Sequence, residues 1–178
     1  MYASKVRTLK QTARIVRRLR RNGRRIAFTN GCFDLLHPGH LAVLEEARRR
    51  GDALIVGLNS DSSVRRLKGA GRPVWPARVR ARMLSALSCV DYVVVFSGAT
   101  PHRLLRTLKP DILVKGGDYA PEEVVGGDFV RSYGGKVVVA PLVRGYSTSA
   151  LLRRTACADN RAHSRRKRES GAGSAAGC

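Results

Sequence analysis

The chain has 178 residues, 43% of them hydrophobic, which suffices for one domain with a buried core and falls short of two ordinary domains plus a tail. Its formal charge of +21 is carried mostly by the ends: residues 1–25 hold ten Lys/Arg and no acid, residues 153–178 hold seven against two, and residues 26–152 keep only +6. An excess placed that way describes solvated faces or arginine-rich drift more than a nucleic-acid-binding core.

From Val6 the apolar positions Leu9, Ala13, Val16 and Leu19 recur at three- and four-residue steps between arginines, predicting an amphipathic helix with a basic outer face that ends at Asn22-Gly23. Ile26 to Thr29 is a short apolar strand opening on a Gly31 loop, and Leu41, Leu44 and Ala47 continue a helix that stops at Gly51. A second strand, Ala53 to Leu58, is followed by Asn59-Ser60-Asp61, whose side chains suit the cap of a short helix. Lys68-Gly69-Ala70-Gly71-Arg72-Pro73 breaks regular structure. A helix from Arg78 to Leu87 precedes strand Tyr92 to Phe96; Pro101 to Leu108 is helical; Ile112 to Val114 is the fourth strand, with Lys115–Tyr119 as its exit loop. A helix over Phe129 to Tyr133 ends at Gly134-Gly135, a fifth strand runs Val137 to Ala140, and Ser147-Thr148-Ser149 starts a last helix.

Continuous Val/Ile/Leu strands alternating with helices predict an α/β fold: a Rossmann-like, doubly wound sheet of about five parallel strands with helices on both faces. Ligands of such sheets bind at the carboxyl ends of the strands, where the polar loops Gly31–His40, Asn59–Lys68, Lys115–Asp118 and Ser147–Ser149 are expected to converge. Residues 1–25 are expected as a basic helix packed on a domain spanning 26–154, and the Arg/Ser/Gly/Ala-rich residues 155–178 as a disordered tail. Cys32, Cys89, Cys157 and Cys178 form no C-x-x-C pair and no zinc spacing with histidine, so disulfide frameworks and metal ligation by side chains are disfavoured. No apolar run reaches the roughly 18 residues of a membrane span and no signal-peptide core opens the chain, so a reducing, cytoplasmic setting is expected.

The chemistry concentrates in Thr29–His40. Pro38 suits the first helical position, so His37 and His40, three residues apart, share one face at a helix start where backbone amides and the helix dipole favour an anion. Gly39 between them permits close approach of a phosphate, and the two imidazoles can donate hydrogen bonds to a triphosphate as its α-phosphorus is attacked. A Pro-Gly turn with two incidental histidines is the plainer alternative, weakened because two of the chain's four histidines fall in this one junction. Neither Gly-x-Gly-x-x-Gly nor Gly-x-x-x-x-Gly-Lys-Ser/Thr is present, which argues against the usual dinucleotide fold and against a P-loop enzyme. Ser147–Ser149 suits a helix cap and, by the same geometry, a phosphate seat. Lys115-Gly116-Gly117-Asp118 is either a strand-exit turn or a place where a ligand meets the backbone. Trp75 is expected to be a packing residue rather than a base stacker, and Cys32 to contribute backbone rather than thiol chemistry.

Thr29–His40 resembles the H-x-G-H signature of the cytidylyltransferase-like nucleotidyltransferases, and Ser147-Thr148-Ser149 their second, Ser/Thr-rich signature. Phe28–Leu41, Arg72-Pro73-Val74, Cys89–Val94, Lys109-Pro110-Asp111, Val114–Tyr119, Val125–Gly135 and Gly145–Ser149 together resemble the adenylyltransferase part of bacterial ADP-heptose synthases, over most of residues 5–152. The resemblance implies transfer of the adenylyl group of ATP, with Mg²⁺, to a heptose 1-phosphate. It implies that His37, His40 and Lys68 are catalytic, Lys68 closing on the triphosphate. Thr29, Asn30, Gly31, Cys32, Phe33, Asp34, Gly39, Arg80, Ser147, Thr148 and Ser149 would contact nucleotide or phosphate, with Asp34 orienting the loop or capping the helix. Lys115, Gly116, Gly117 and Asp118 would contact nucleotide or sugar phosphate. It also implies a homodimer and a separate sugar kinase to supply the acceptor. Acids common in the family are replaced here by Ala77, Arg78 and Val79, by Ser97, Gly98 and Ala99, and by Arg144, which bears on the choice of sugar. Two other readings stand beside it: a cytidylyltransferase acting on glycerol 3-phosphate or another polyol phosphate, and a non-catalytic nucleic-acid-binding protein of the same fold. An aromatic content of 6% without a stacking signature argues against the latter.

Overall fold

A computed structural model describes residues 5–117, 120–141, 143 and 145–152. The chain divides into two compact units, Met1–Arg144 and Gly145–Cys178. The first holds α1 (Leu9–Arg21), β1 (Ile26–Gly31), α2 (Pro38–Arg50), β2 (Ala53–Asn59), α3 (Asp61–Lys68), α4 (Ala77–Ala86), β3 (Tyr92–Phe96), α5 (His102–Leu108), β4 (Ile112–Gly116), α6 (Gly127–Arg131) and β5 (Lys136–Ala140). In the second, residues 148–152 are helical. The expected tail, 155–178, lies outside the described residues, as do Asp118, Tyr119 and Arg144.

The five strands form one parallel sheet in the order β3-β2-β1-β4-β5, the doubly wound arrangement expected from the sequence. Strand periodicity divides the core into two layers. Ala27, Leu54, Val56, Val93, Ile112 and Val114 face α2 and α4 through Leu44, Ala47, Ala81 and Leu84. Ile26, Phe28, Ile55, Val94 and Leu113 face α1, α5 and α6 through Val16, Leu104, Leu105, Leu108 and Val130. Every residue of β2 is buried, which is why that strand reads as an unbroken apolar run. None of the described helices is long and apolar enough to cross a membrane.

Two differences from the sequence expectation have clear causes. The first helix begins at Leu9, because Thr8 and Gln11 form a capping box. Val6 instead forms a parallel bridge with Val93 on the edge of β3, where Val93 donates to the Lys5 carbonyl and Arg7 donates to the Val93 carbonyl. The fourth strand continues past its last apolar residue, since the ladder to β5 runs on through Lys115↔Val139 and Gly116↔Ala140. Lys115 and Gly116 therefore belong to the sheet, and only Gly117 remains of the described exit loop.

Candidate active site

The junction between β1 and α2 is built by the histidines themselves. His37 is the N-cap of α2, in extended conformation, and its Nδ1 accepts from the His40 backbone N–H at 3.3 Å. Pro38 takes the first helical position. A cap that accepts through Nδ1 keeps its proton on Nε2, so His37 presents a donor outward. The His37 and His40 rings stack, with centroids 3.8 Å apart and planes at 23°. The Phe33 ring also lies against His40, tilted at 51° and centroid to centroid 5.1 Å, from a backbone held at φ 42°, a left-handed value that a phenylalanine rarely adopts. Burial, and secondarily the neighbouring His37, pushes the His40 pKa down to about 4, with Leu35 and Asp34 pulling the other way. Burial also lowers that of His37. His40 Nδ1 lies buried without a hydrogen-bond partner. The pair is thus a neutral, stacked set of imidazoles at a helix N-terminus, able to donate to oxygen without carrying a fixed charge.

Beneath the histidines, Asp34 and Arg80 hold the loop in place. Asp34, 1% exposed, accepts from Arg72 Nε at 2.6 Å, from the Val74 N–H at 2.8 Å and from the Trp75 N–H at 3.2 Å. Arg80 is fully buried and donates to the Cys32 carbonyl, to the Trp75 carbonyl at 2.9 Å and to Asp61 at 2.8 Å. These contacts bear on two sequence expectations. Arg80 meets the protein's own oxygens rather than a ligand, because it has no surface from which to reach one. Of the two roles open to Asp34, the cap of α2 is taken by His37, and the carboxylate instead ties the Arg72–Trp75 segment to the loop after β1. Arg72 and Asp61 are the members of this scaffold that the sequence did not reveal, since an ion pair between positions 34 and 72 leaves no periodic or local mark.

Thr29 is buried at the end of β1, while Asn30 and Gly31 are half-buried. Asn30 Oδ1 is buried and unpartnered, and the Asn30 carbonyl accepts from Lys115 Nζ at 3.0 Å across the β1–β4 boundary. Burial pushes the Lys115 pKa down to about 8, with the Cys32 thiol pulling the other way. The Cys32 pKa is itself raised by burial against the charges of Lys68, Arg80 and Arg72, which keeps the sulfur protonated and leaves the backbone as its contribution. Lys68 is exposed at the end of α3, with its charge felt at Cys32. Gly39 falls in the first turn of α2. Gly116 faces α2 so closely that an added Cβ would meet Val43 Cγ2 at 2.3 Å. The Gly117 N–H donates to the Ala140 carbonyl at 3.3 Å. The residues at the carboxyl ends of β1, β2 and β4 are thus linked through Arg80 and Lys115. Ser147, Thr148 and Ser149 stand in the second unit, where the Ser147 hydroxyl accepts from the Ala150 N–H at 3.1 Å and the Ser147 carbonyl from the Leu151 N–H at 3.0 Å, the local start of a helix. Trp75, expected as a packing residue, is 45% exposed.

Comparison with known proteins matches this architecture. The chain is 56% identical over 153 residues to the bifunctional protein HldE of Syntrophotalea carbinolica, covering 86% of this chain and 31% of that one. It is 57% identical over 145 residues to its counterpart from Gluconobacter oxydans, covering 82% and 30%. The chain therefore spans about a third of the length of these curated relatives. Among solved structures, a lipopolysaccharide core biosynthesis protein from Thermoplasma volcanium superposes with a TM-score of 0.56 at 25% identity, over 70% of this chain and all of that one. A pantoate-beta-alanine ligase from Francisella tularensis shares the fold, with a TM-score of 0.57 at 17% identity over 78% of this chain and 67% of that one. The family model described as cytidylyltransferase-like matches residues 28–153, over the strands, the histidine junction and the Ser147–Ser149 segment, and the chain belongs to that family.

Proposed function

We propose that the protein transfers the adenylyl group of ATP to a heptose 1-phosphate, releasing pyrophosphate and forming ADP-heptose. The observation that carries nucleotidyl transfer is the stacked, neutral His37–His40 pair at the N-terminus of α2, with Lys115 across the β1–β4 boundary. The choice of ATP and heptose rests on the resemblance to ADP-heptose synthases and on the similarity to proteins named HldE. The Thermoplasma volcanium neighbour, a lipopolysaccharide core biosynthesis protein, supports a role in glycan synthesis.

The reaction is a direct displacement. A phosphate oxygen of the acceptor attacks the α-phosphorus in line, the bond to the β-phosphate oxygen breaks, and pyrophosphate leaves. His37 Nε2–H and the His40 imidazole donate to oxygens whose negative charge grows as that bond breaks, and the amides opening α2 add the helix-end potential. The backbone from Asn30 to Phe33 seats the phosphates, Asp34 and Arg80 keep that backbone in place, and Lys68 and Lys115 supply positive charge from either side. The Ser147–Ser149 helix start is assigned to the terminal phosphates and Asp118 to substrate binding, both by resemblance. Magnesium would neutralise the triphosphate, with phosphate oxygens as its ligands in this reading.

Pyrophosphate release tests the proposal, using ATP or CTP with heptose 1-phosphate or glycerol 3-phosphate and Mg²⁺. Release from ATP with heptose 1-phosphate is expected. Release from CTP alone would assign the chain to cytidylyl transfer, and silence with every acceptor together with salt-sensitive RNA binding would replace catalysis by a binding role.

A further inference from the structure

The chain's single tryptophan, in the segment tied to Asp34 beside the histidine junction, is only half covered by the described residues. Trp75 is 45% exposed and the adjacent Val74 42%, in a protein whose core side chains are almost wholly buried. Scattered apolar residues on a surface need no explanation. This pair differs because its backbone is fixed. The Val74 and Trp75 N–H groups donate to Asp34, and the Trp75 carbonyl accepts from the same Arg80 guanidinium that holds the Cys32 carbonyl. The segment that carries the indole is thereby held one side chain, that of Asp34, away from the loop after β1. Its Nε1–H has no hydrogen-bond partner among the described residues.

Strand order says which substrate this position serves. The chain leaves β1 toward β2 and β3 on one side and toward β4 and β5 on the other, so the switch point of the sheet lies between β1 and β4. Doubly wound folds bind nucleotides in that crevice, and Lys115 and Gly116 border it here. Trp75 lies in the connection from α3 to α4, which follows β2, on the other side of the histidine junction. With the nucleotide in the β1–β4 crevice, the β2 side is left for the acceptor. A flat, half-exposed indole on a fixed backbone segment suits the apolar C–H face of a sugar ring, and its N–H suits a hydroxyl at the ring edge.

We infer that Trp75 is a specificity-determining residue, a preformed platform on which the sugar ring of the acceptor phosphate stacks. The inference rests on the nucleotidyl-transfer reading and adds the residue that selects a ring-shaped acceptor over an open-chain one. Trp75 being the only tryptophan, its emission reports the platform directly.

The test combines emission with steady-state kinetics on the full chain. Heptose 1-phosphate is expected to shift or quench wild-type emission, and glycerol 3-phosphate, having no ring face, to leave it unchanged. Trp75→Ala is expected to raise KM for heptose 1-phosphate about 10-fold with KM for ATP within about twofold, and Trp75→Phe to restore most of the loss, as an aromatic contact requires and a purely structural role does not. A rise confined to KM for ATP would make the platform a base-stacking one and overturn the assignment. Unchanged KM values in both variants would remove Trp75 from the site. Failure of the enzymatic reading is distinguishable: a wild-type protein that releases no pyrophosphate yet changes its emission with heptose 1-phosphate keeps the platform and loses the reaction, while emission unmoved by the sugar phosphate overturns the platform.

Discussion

An imidazole helps a leaving phosphate only if it has a proton to give, and the structure supplies that proton differently at the two histidines. His37 is held as the Nε2–H tautomer by its own capping bond, and His40 is kept neutral by burial against His37 and Phe33, with its pKa near 4. His40→Ala is expected to lower turnover by at least about 100-fold, the scale of losing one transition-state donor, in a protein whose circular dichroism is unchanged; near-normal turnover would refute the role. Lys115 gives a pH signature. With its pKa lowered to about 8, it is charged below that value and neutral above it, so attraction for phosphate fades as pH rises past about 8. The kcat/KM profile should fall on that alkaline limb in the wild type, and Lys115→Arg, which stays charged, should move the limb upward. The histidine spacing was legible in the sequence because a helix turn is a local object. The inward use of Arg80 was not, since an arginine that contacts phosphate and one that holds a carbonyl look alike in sequence.

At the scale of elements, the histidine junction depends on how closely α2 sits on the sheet. Gly116 in β4 leaves space for Val43 of α2, and a Cβ there would come within 2.3 Å of Val43 Cγ2. A valine has little rotamer freedom with which to yield. Gly116→Ala should therefore cost about 1–3 kcal/mol by urea unfolding, the usual range for overpacking, and lower activity by tilting α2 under the histidines. Adding Val43→Ala should recover a large part of both, and no recovery would place the strain elsewhere. The sequence pattern located all five strands within a residue or two and missed where β4 ends, because apolar periodicity stops at Val114 while the hydrogen-bonded ladder runs on to Gly116. The capping box at Thr8 and Gln11 was legible in principle, yet the apolar repeat pointed to a start at Val6.

For the molecule as a whole, charge is the unusual property. The exposed residues of α1 include Lys10, Arg14, Arg17, Arg18 and Arg21, α5 adds Arg103 and Arg106, and neither helix contains an acid. The two helices share one core layer, so these cations are gathered on one face of the fold. Such self-repulsion is screened by salt. The thermal midpoint should rise as ionic strength goes from about 10 mM to about 0.3 M, over which the Debye length falls from roughly 30 Å to below 8 Å; a midpoint independent of salt would mean that the cations are too well solvated to repel one another. By itself the sequence determined the alternation of strands and helices, the helix start at Pro38 and the family, because each is written in residues close together along the chain. Only the tertiary structure decided that β1 lies between β2 and β4, that Asp34 and Arg80 face inward as a scaffold, and that Trp75 faces outward. Those outcomes turn on pairings such as 34 with 72 and 61 with 80, and on which side chains the packed core leaves room for, neither of which has a local signature.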